Sequence, residues 1–152
     1  MCTFNGDKFL KEQLDSILNQ TKQVDEIDVC DDGSIDKTVE LLEAYRITYP
    51  SLFKIFYNDQ NLRSSKNFEK AISLCIGDII FFSDEDDIWA TNKVTSYVEY
   101  FIKNPQIEVL ASNGCCIDEH TIVHEKYSIW DAPEFLRQKK YRLIIFKLML
   151  FK

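Results

Sequence analysis

Two kinds of apolar patterning alternate along the chain. Short runs dense in apolar residues, at 1–4, 26–30, 52–57, 78–82 and 107–111, predict strands. Between them the apolar positions fall at helical spacing. Leu10, Leu14, Ile17 and Leu18 predict a first helix, with Asp7 as its candidate N-cap. Val39, Leu42, Tyr45 and Tyr49 predict a second, stopped by Pro50, and Phe68, Ala71, Ile72 and Cys75 a third, ended by Gly77. Val94, Tyr97, Val98 and Phe101 predict a fourth, running to Asn104-Pro105. The alternation of strand and helix predicts an α/β fold, a mainly parallel sheet with helices on both faces. A sixth strand is expected over 115–123, interrupted near Asp118-Glu119, and 130–140 reads as loop plus helix. Residues 141–152 are strongly apolar; a core element is the preferred reading, a membrane-surface helix the alternative.

Composition narrows the classes. A chain of 152 residues, 45% hydrophobic and 28% charged, fits one globular domain with a real core. The formal net charge of −7 argues against nucleic-acid or anionic-membrane surfaces, which are recognised by basic patches. Five cysteines show no zinc spacing and leave an odd count, as expected of buried thiols in a reducing compartment. With no signal peptide and no bilayer-length apolar stretch in view, the expected location is the cytoplasm, with the inner face of the membrane as a finer reading.

The chemistry concentrates in two acidic turns. In Phe81-Phe82-Ser83-Asp84-Glu85-Asp86-Asp87-Ile88-Trp89 an apolar strand runs straight into four acids. Adjacent carboxylates repel, so a folded chain keeps them against open water or a bound cation. An all-oxygen donor set suits Mg²⁺ or Mn²⁺, which also bind substrate phosphates. The second turn, Asp31-Asp32-Gly33-Ser34, likewise joins a strand to a helix, where Gly33 supplies an unusual backbone angle and Ser34 or Asp36 a cap. In a parallel sheet all such turns share one edge, where α/β proteins bind ligands, so the two acidic turns and Phe4-Asn5 are expected to converge. The sequence has no glycine-rich phosphate loop, so a diphosphate there would depend on the cation for neutralisation.

These residues carry a resemblance. Cys2-Thr3-Phe4-Asn5-Gly6, Leu14-Asp15-Ser16-Ile17-Leu18-Asn19-Gln20-Thr21, Asp31-Asp32-Gly33-Ser34, Asn61-Leu62, Lys66-Asn67-Phe68 and Ser83-Asp84-Glu85-Asp86-Asp87-Ile88-Trp89 follow one another as in family 2 glycosyltransferases, over about residues 1–120. The pattern is similar to the bacterial rhamnosyltransferase-like branch that builds surface polysaccharides. The resemblance implies the nucleotide-diphospho-sugar transferase fold called GT-A and inverting transfer of a sugar to an acceptor hydroxyl. It implies a UDP- or dTDP-linked sugar donor and a glycan or lipid-linked acceptor, with peripheral membrane contact left open and no nucleic acid. Nucleotide-sugar binding falls on Cys2, Phe4, Asp31, Asp32, Asn67 and Asp84. The metal, Mg²⁺ or Mn²⁺, falls on Asp84 and Asp86, with Asp86 the direct ligand. Residues 1–123 correspond to the nucleotide-sugar-binding core and 124–152 to the start of an acceptor-side region. The catalytic base is expected beyond Lys152, so the chain is read as a donor-binding half. Two residues depart from the pattern: Arg63 stands where relatives commonly carry glycine, and Glu85 replaces a common glutamine, a change expected to be mild.

Other readings compete with parts of this one. A non-catalytic binding module would keep donor and cation without the base. A receiver-like signalling domain also gathers acids at strand ends, but Tyr57-Asn58-Asp59 and Lys66 fit its requirements poorly. A nucleotidyltransferase would need the missing glycine-rich loop. Trp89 is read as core packing before acceptor contact, and Asn67 as either pocket lining or a helix cap. His120 and His124 fall in a strand-like stretch that separates them by about 13 Å at ~3.3 Å per residue, which disfavours a chelate.

Overall fold

The computed structural model describes residues 1–111, 114–117, 123–128 and 149–151. Strands β1 (Cys2–Thr3), β2 (Ile27–Asp31) and β3 (Phe53–Tyr57) form a parallel sheet in that spatial order. Cys2 lies opposite Cys30, and Ile27 opposite Phe53. Each strand leads into a helix: α1 (Leu10–Leu18), α2 (Thr38–Thr48) and α3 (Arg63–Leu74).

All five residues of β2 are buried, and its alternation decides which helix packs where. Ile27 and Val29 join Leu10, Leu14 and Ile17 of α1 and Leu42 of α2 in the main cluster. Cys30 points the other way, to Ala71 and Phe68 of α3. Helices therefore cover both faces, as the periodicity predicts. Each fully buried leucine or isoleucine contributes about 1.5–3 kcal/mol, so this sandwich is the main stabilising feature.

The second half departs from a continuous parallel sheet. β4 (Ile79–Ile80) pairs antiparallel with β8 (Met149–Phe151), which pairs in the same sense with β5 (Val109–Leu110). One backbone hydrogen bond, from the Cys2 N–H to the Ser83 carbonyl (3.1 Å), ties the chain after β4 to β1. Helix α4 (Lys93–Lys103) lies between β4 and β5 in sequence, and its Val94 enters the main core. The strand expected over 115–123 is two strands, β6 (Cys115–Ile117) and β7 (Val123–Ser128), paired antiparallel. His120, residues 130–140 and residues 141–148 lie outside the described residues. No helix among the described residues is long and apolar enough to cross a membrane.

Three terminus assignments change. Asp7 does not cap α1: the Gly6 carbonyl accepts from the Phe9 and Leu10 N–H groups (both 3.0 Å), and the Asp7 N–H instead donates to Asp36 Oδ2 (3.1 Å). Of Ser34 and Asp36, Asp36 serves α2, its Oδ1 accepting the Thr38 N–H at 2.9 Å. Helix α3 ends through an extended Cys75 rather than a left-handed Gly77, whose N–H donates to Glu26 Oε1 (3.0 Å).

Candidate functional site

The chain segments leaving β1, β2, β3 and β4 converge on one cavity of about 360 Å³. Of the residues singled out from the sequence, Cys2, Phe4, Asp32, Asn67, Asp84 and Asp86 all line it. They come from four separate crossovers, brought together because parallel strands end on one edge. Asn61, Arg63 and Glu85 complete much of the wall.

Asp31 is the exception, and the strand geometry explains why. It shares the parity of Ile27 and Val29, so its side chain turns inward and is 1% exposed. Its Oδ1 accepts from Thr3 Oγ1 (2.9 Å) and Ser34 Oγ (2.5 Å), and its Oδ2 from the N–H groups of Gly33 (3.2 Å) and Ser34 (2.9 Å). Both oxygens are committed to building the turn. Gly33, at φ +86°, has the left-handed backbone that lets the turn close under this carboxylate.

Asp32 faces the cavity wall. It is 3% exposed, and the loop between β3 and α3 wraps its carboxylate. Asn58 Nδ2 and the Leu62 N–H both donate to Oδ1 (2.7 Å each), and the Arg63 N–H donates to Oδ2 (2.8 Å). Asn61 Nδ2 donates to the Asp32 carbonyl at 3.1 Å. Asn67 extends the network: its Nδ2 donates to the Cys30 carbonyl (2.9 Å), and its Oδ1 accepts from Asn58 Nδ2 (2.9 Å). Asn67 thus both lines the cavity and anchors α3 to β2. Asn61, part of the motif series that carries the resemblance, and Asn58 have no site role assigned from the sequence. The signal was the asparagine-rich stretch after the third strand, on the same sheet edge as the two acidic turns.

The four-acid turn is held from below. Ser83 is buried, accepts from Gln13 Nε2 of α1 (2.5 Å) and bonds β1 through its carbonyl. Gly6 touches the turn directly: a Cβ added there would sit 2.3 Å from Glu85 Cγ and 2.9 Å from its Cβ. The Asn5-Gly6 pair therefore combines a left-handed Asn5 (φ 53°) with a close approach only glycine allows. Burial, joined by the Asp84 and Asp86 charges, pushes the Glu85 carboxyl up to about 7. A protonated carboxyl, like a glutamine amide, can both donate and accept a hydrogen bond, so the departure is expected to be mild at low pH. The linkage has a definite sign. The folded chain retains a proton that the unfolded chain loses above its ordinary value of 4.5, so stability falls as pH rises from about 4.5 to about 7. Glu85→Gln is expected to flatten that decline and to raise stability at pH 8 by ~1–3 kcal/mol, read from urea unfolding without divalent cations.

Phe4, 48% exposed, presents an aromatic face at the cavity rim. Trp89 is core: it is buried, packs on Phe81 at 5.4 Å between ring centroids and lies 4.3 Å below the Lys93 ammonium. Lys66 is exposed and pairs with Glu69, outside the cavity lining. A further group of potential ligands, Glu26, Asp28 and Cys75, lines a separate cavity of about 290 Å³ reached by β2 and β4. Lys54 already serves those acids, 2.6 Å from Glu26 Oε2 and 3.9 Å from Asp28 Oδ1. Burial, with the Glu26 charge adding, raises the Asp28 carboxyl above its usual range. That cluster reads as structural.

A parallel three-stranded core with helices on both faces and acids gathered at its carboxyl edge defines a GT-A-type nucleotide-diphospho-sugar transferase fold. The chain belongs to glycosyl transferase family 2, whose family model matches residues 1–149. Within that family it is similar to the bacterial rhamnosyltransferase branch: it is 37% identical over 109 residues to the dTDP-rhamnosyl transferase RfbG of Shigella flexneri, covering 68% of this chain and 37% of that protein. Among solved structures it resembles Staphylococcus aureus TarS 1–349 in complex with UDP, with a TM-score of 0.64 and 25% identity, covering 72% of this chain and 32% of the TarS 1–349 chain. The mannosyltransferase PcManGT of Pyrobaculum calidifontis, in complex with GDP-Man and Mn²⁺, shares the fold at a TM-score of 0.65 and 21% identity, covering 72% of this chain and 34% of that one. The chain spans 37% of the length of RfbG.

Proposed function

We propose that residues 1–123 form the donor-binding core of a glycosyltransferase that moves a sugar, with inversion, from a nucleoside-diphosphate carrier to an acceptor hydroxyl in surface-polysaccharide synthesis. Residues 124–152 begin the acceptor side, where a glycan or lipid-linked acceptor would dock, with cytoplasmic working and peripheral membrane contact as the finer reading. The observation that carries this is the meeting of Phe4, Asp32, Asn67, Asp84 and Asp86 from four crossovers at one cavity.

Each residue has a part. Phe4 offers its exposed ring to the face of the base, and Cys2 lies beside it. Asp32, fixed by three hydrogen bonds, presents its remaining acceptor capacity to the donors on a base edge or ribose, with Asn67 holding the loop that fixes it. Asp31 acts at one remove, by shaping the turn. Asp84 and Asp86 supply the hard carboxylate oxygens that Mg²⁺ and Mn²⁺ take, and would hold such an ion. When bound, that ion supplies Lewis-acid stabilisation of the charge on the departing diphosphate. Taking the acceptor's proton needs a further carboxylate, proposed to lie outside this cavity. The likeness to RfbG favours dTDP as the carrier and the likeness to TarS favours UDP.

Calorimetric titration of the chain with UDP and with dTDP, each with and without Mn²⁺, tests the reading. Nucleotide binding that strengthens with Mn²⁺ is the expected result. Failure of both nucleotides to bind at millimolar concentration overturns it. Binding without sugar transfer from the matching nucleotide-sugar separates a binding module from a complete enzyme.

A further inference from the structure

The cavity is rich in anions: Asp32, Asp84, Glu85 and Asp86 line it, and Arg63 is the one cation among its described lining residues. Arg63 is also in an unusual place. Its φ of 63° lies in the left-handed region, which non-glycine residues enter at a cost and which persists where surrounding contacts impose it. The imposing contact is visible. The Arg63 N–H is captured by Asp32 Oδ2 at 2.8 Å and by Asn61 Oδ1 at 3.1 Å, so the residue cannot relax without releasing the Asp32 loop. The side chain launched from this fixed backbone is exposed, and among the described residues its guanidinium makes no hydrogen bond or ion pair. Among the described residues nothing therefore repays the strain through that side chain.

We propose that Arg63 is a donor-recognition residue whose guanidinium binds the diphosphate oxygens of the nucleotide. The inference rests on the donor site proposed above and adds to it a ligand-binding cation outside the acidic turns. A diphosphate entering a cavity walled by four carboxylates meets repulsion that a single divalent ion only partly offsets. The planar, permanently charged guanidinium, with five donors and no acceptor, is suited to paired phosphate oxygens. The coupling to Asp32 gives the device its precision: the carboxylate assigned to the nucleoside also holds the backbone from which the phosphate ligand extends.

The test uses the whole chain, UDP and dTDP as probes, and Mn²⁺ throughout. Arg63→Asn keeps a residue that tolerates the left-handed backbone but removes the charge; Arg63→Gly removes both charge and strain; Arg63→Lys keeps charge without the fork. The expected result is a loss of about tenfold or more in nucleotide affinity for Asn and Gly, a smaller loss for Lys, and a shallower dependence of affinity on salt. Melting temperatures of Asn and Gly are expected to equal or exceed that of the unsubstituted chain, opposite in direction to the loss of binding. Unchanged affinity in Arg63→Asn and Arg63→Gly overturns the proposal while leaving the donor site intact. A loss of affinity with unchanged salt dependence also overturns it, since the contact would then not be to phosphate. If the unsubstituted chain binds neither nucleotide, the donor site itself falls and this inference with it.

Discussion

Replacing Asp32 with alanine is expected to lower stability by ~3 kcal/mol and to release the loop between β3 and α3. Asp32 is 3% exposed, and its carboxylate accepts from Asn58 Nδ2 and from the Leu62 and Arg63 N–H groups. Hydrogen bonds to a charged acceptor contribute about 1.5–3 kcal/mol each, but three donors sharing two oxygens are coupled, so the sum is not additive. The loop can recover part of the loss by turning toward water. About half of the additive value is therefore the reasonable expectation. Arg63, its N–H then held by Asn61 Oδ1 alone, should relax part of the way from φ 63°, which returns a little of the cost. Urea unfolding of Asp32→Ala against the unsubstituted chain measures the total, and amide hydrogen exchange at Leu62 and Arg63 locates it. A loss below about 1 kcal/mol, or unchanged protection at those two amides, would show that the loop stands without this carboxylate.

The same neighbourhood shows what could be read in advance. The helices carrying Leu10, Leu14 and Ile17 or Val94 and Phe101 were legible because each apolar stripe buries against a sheet and leaves its period in the sequence. The convergence of acidic turns was legible because parallel crossovers share an edge. Adjacent residues at a strand end point to opposite sides, so the distinct parts of Asp31 and Asp32 are legible in principle, whereas the resemblance places both in nucleotide-sugar binding. The left-handed backbone of Arg63 was not legible as such. The resemblance implies glycine at that position, a residue that takes positive φ freely; an arginine there hides the requirement. Strand pairing in the second half was hidden for a different reason. The partner of β4 and β5 is β8, about 40 or more residues away in sequence, and neither composition nor period states which edge a short apolar run will join. Terminus assignments failed where long-range groups took over: Gly77 gives its N–H to Glu26, and Asp7 gives its N–H to Asp36 rather than capping its own helix.

The largest effect on binding is expected from Asp86→Ala, which should abolish the Mn²⁺-dependent part of UDP or dTDP affinity while leaving the fold in place. Asp86 and Asp84 both line the cavity, two carboxylates on one turn separated by a single residue. Mg²⁺ and Mn²⁺ bind oxygen ligands with the charge of the site setting much of the affinity, and such ions are commonly held by one or two carboxylates plus phosphate. Loss of even an outer-shell partner costs about 10–100-fold in metal affinity, so loss of a direct carboxylate should cost at least ~100-fold. Stability moves the other way. Four consecutive acids repel, and removing one of them should lessen the strain on the metal-free turn, including the pressure of the Asp86 charge that helps hold Glu85 at about 7. Asp86→Ala is therefore expected to unfold at the same urea concentration as the unsubstituted chain or a higher one, with the stability decline between pH 4.5 and 7 reduced. Titration of UDP and dTDP with and without Mn²⁺, run beside unfolding in the absence of divalent ions, separates the two effects. Nucleotide affinity that still rises with Mn²⁺ in the variant would remove Asp86 from the cation site. A variant that loses both stability and all nucleotide binding would show instead that the carboxylate holds the turn together. The four-crossover cavity predicts a clean division: a folded chain, still able to meet the base through Phe4 and Asp32, that no longer gains from the cation.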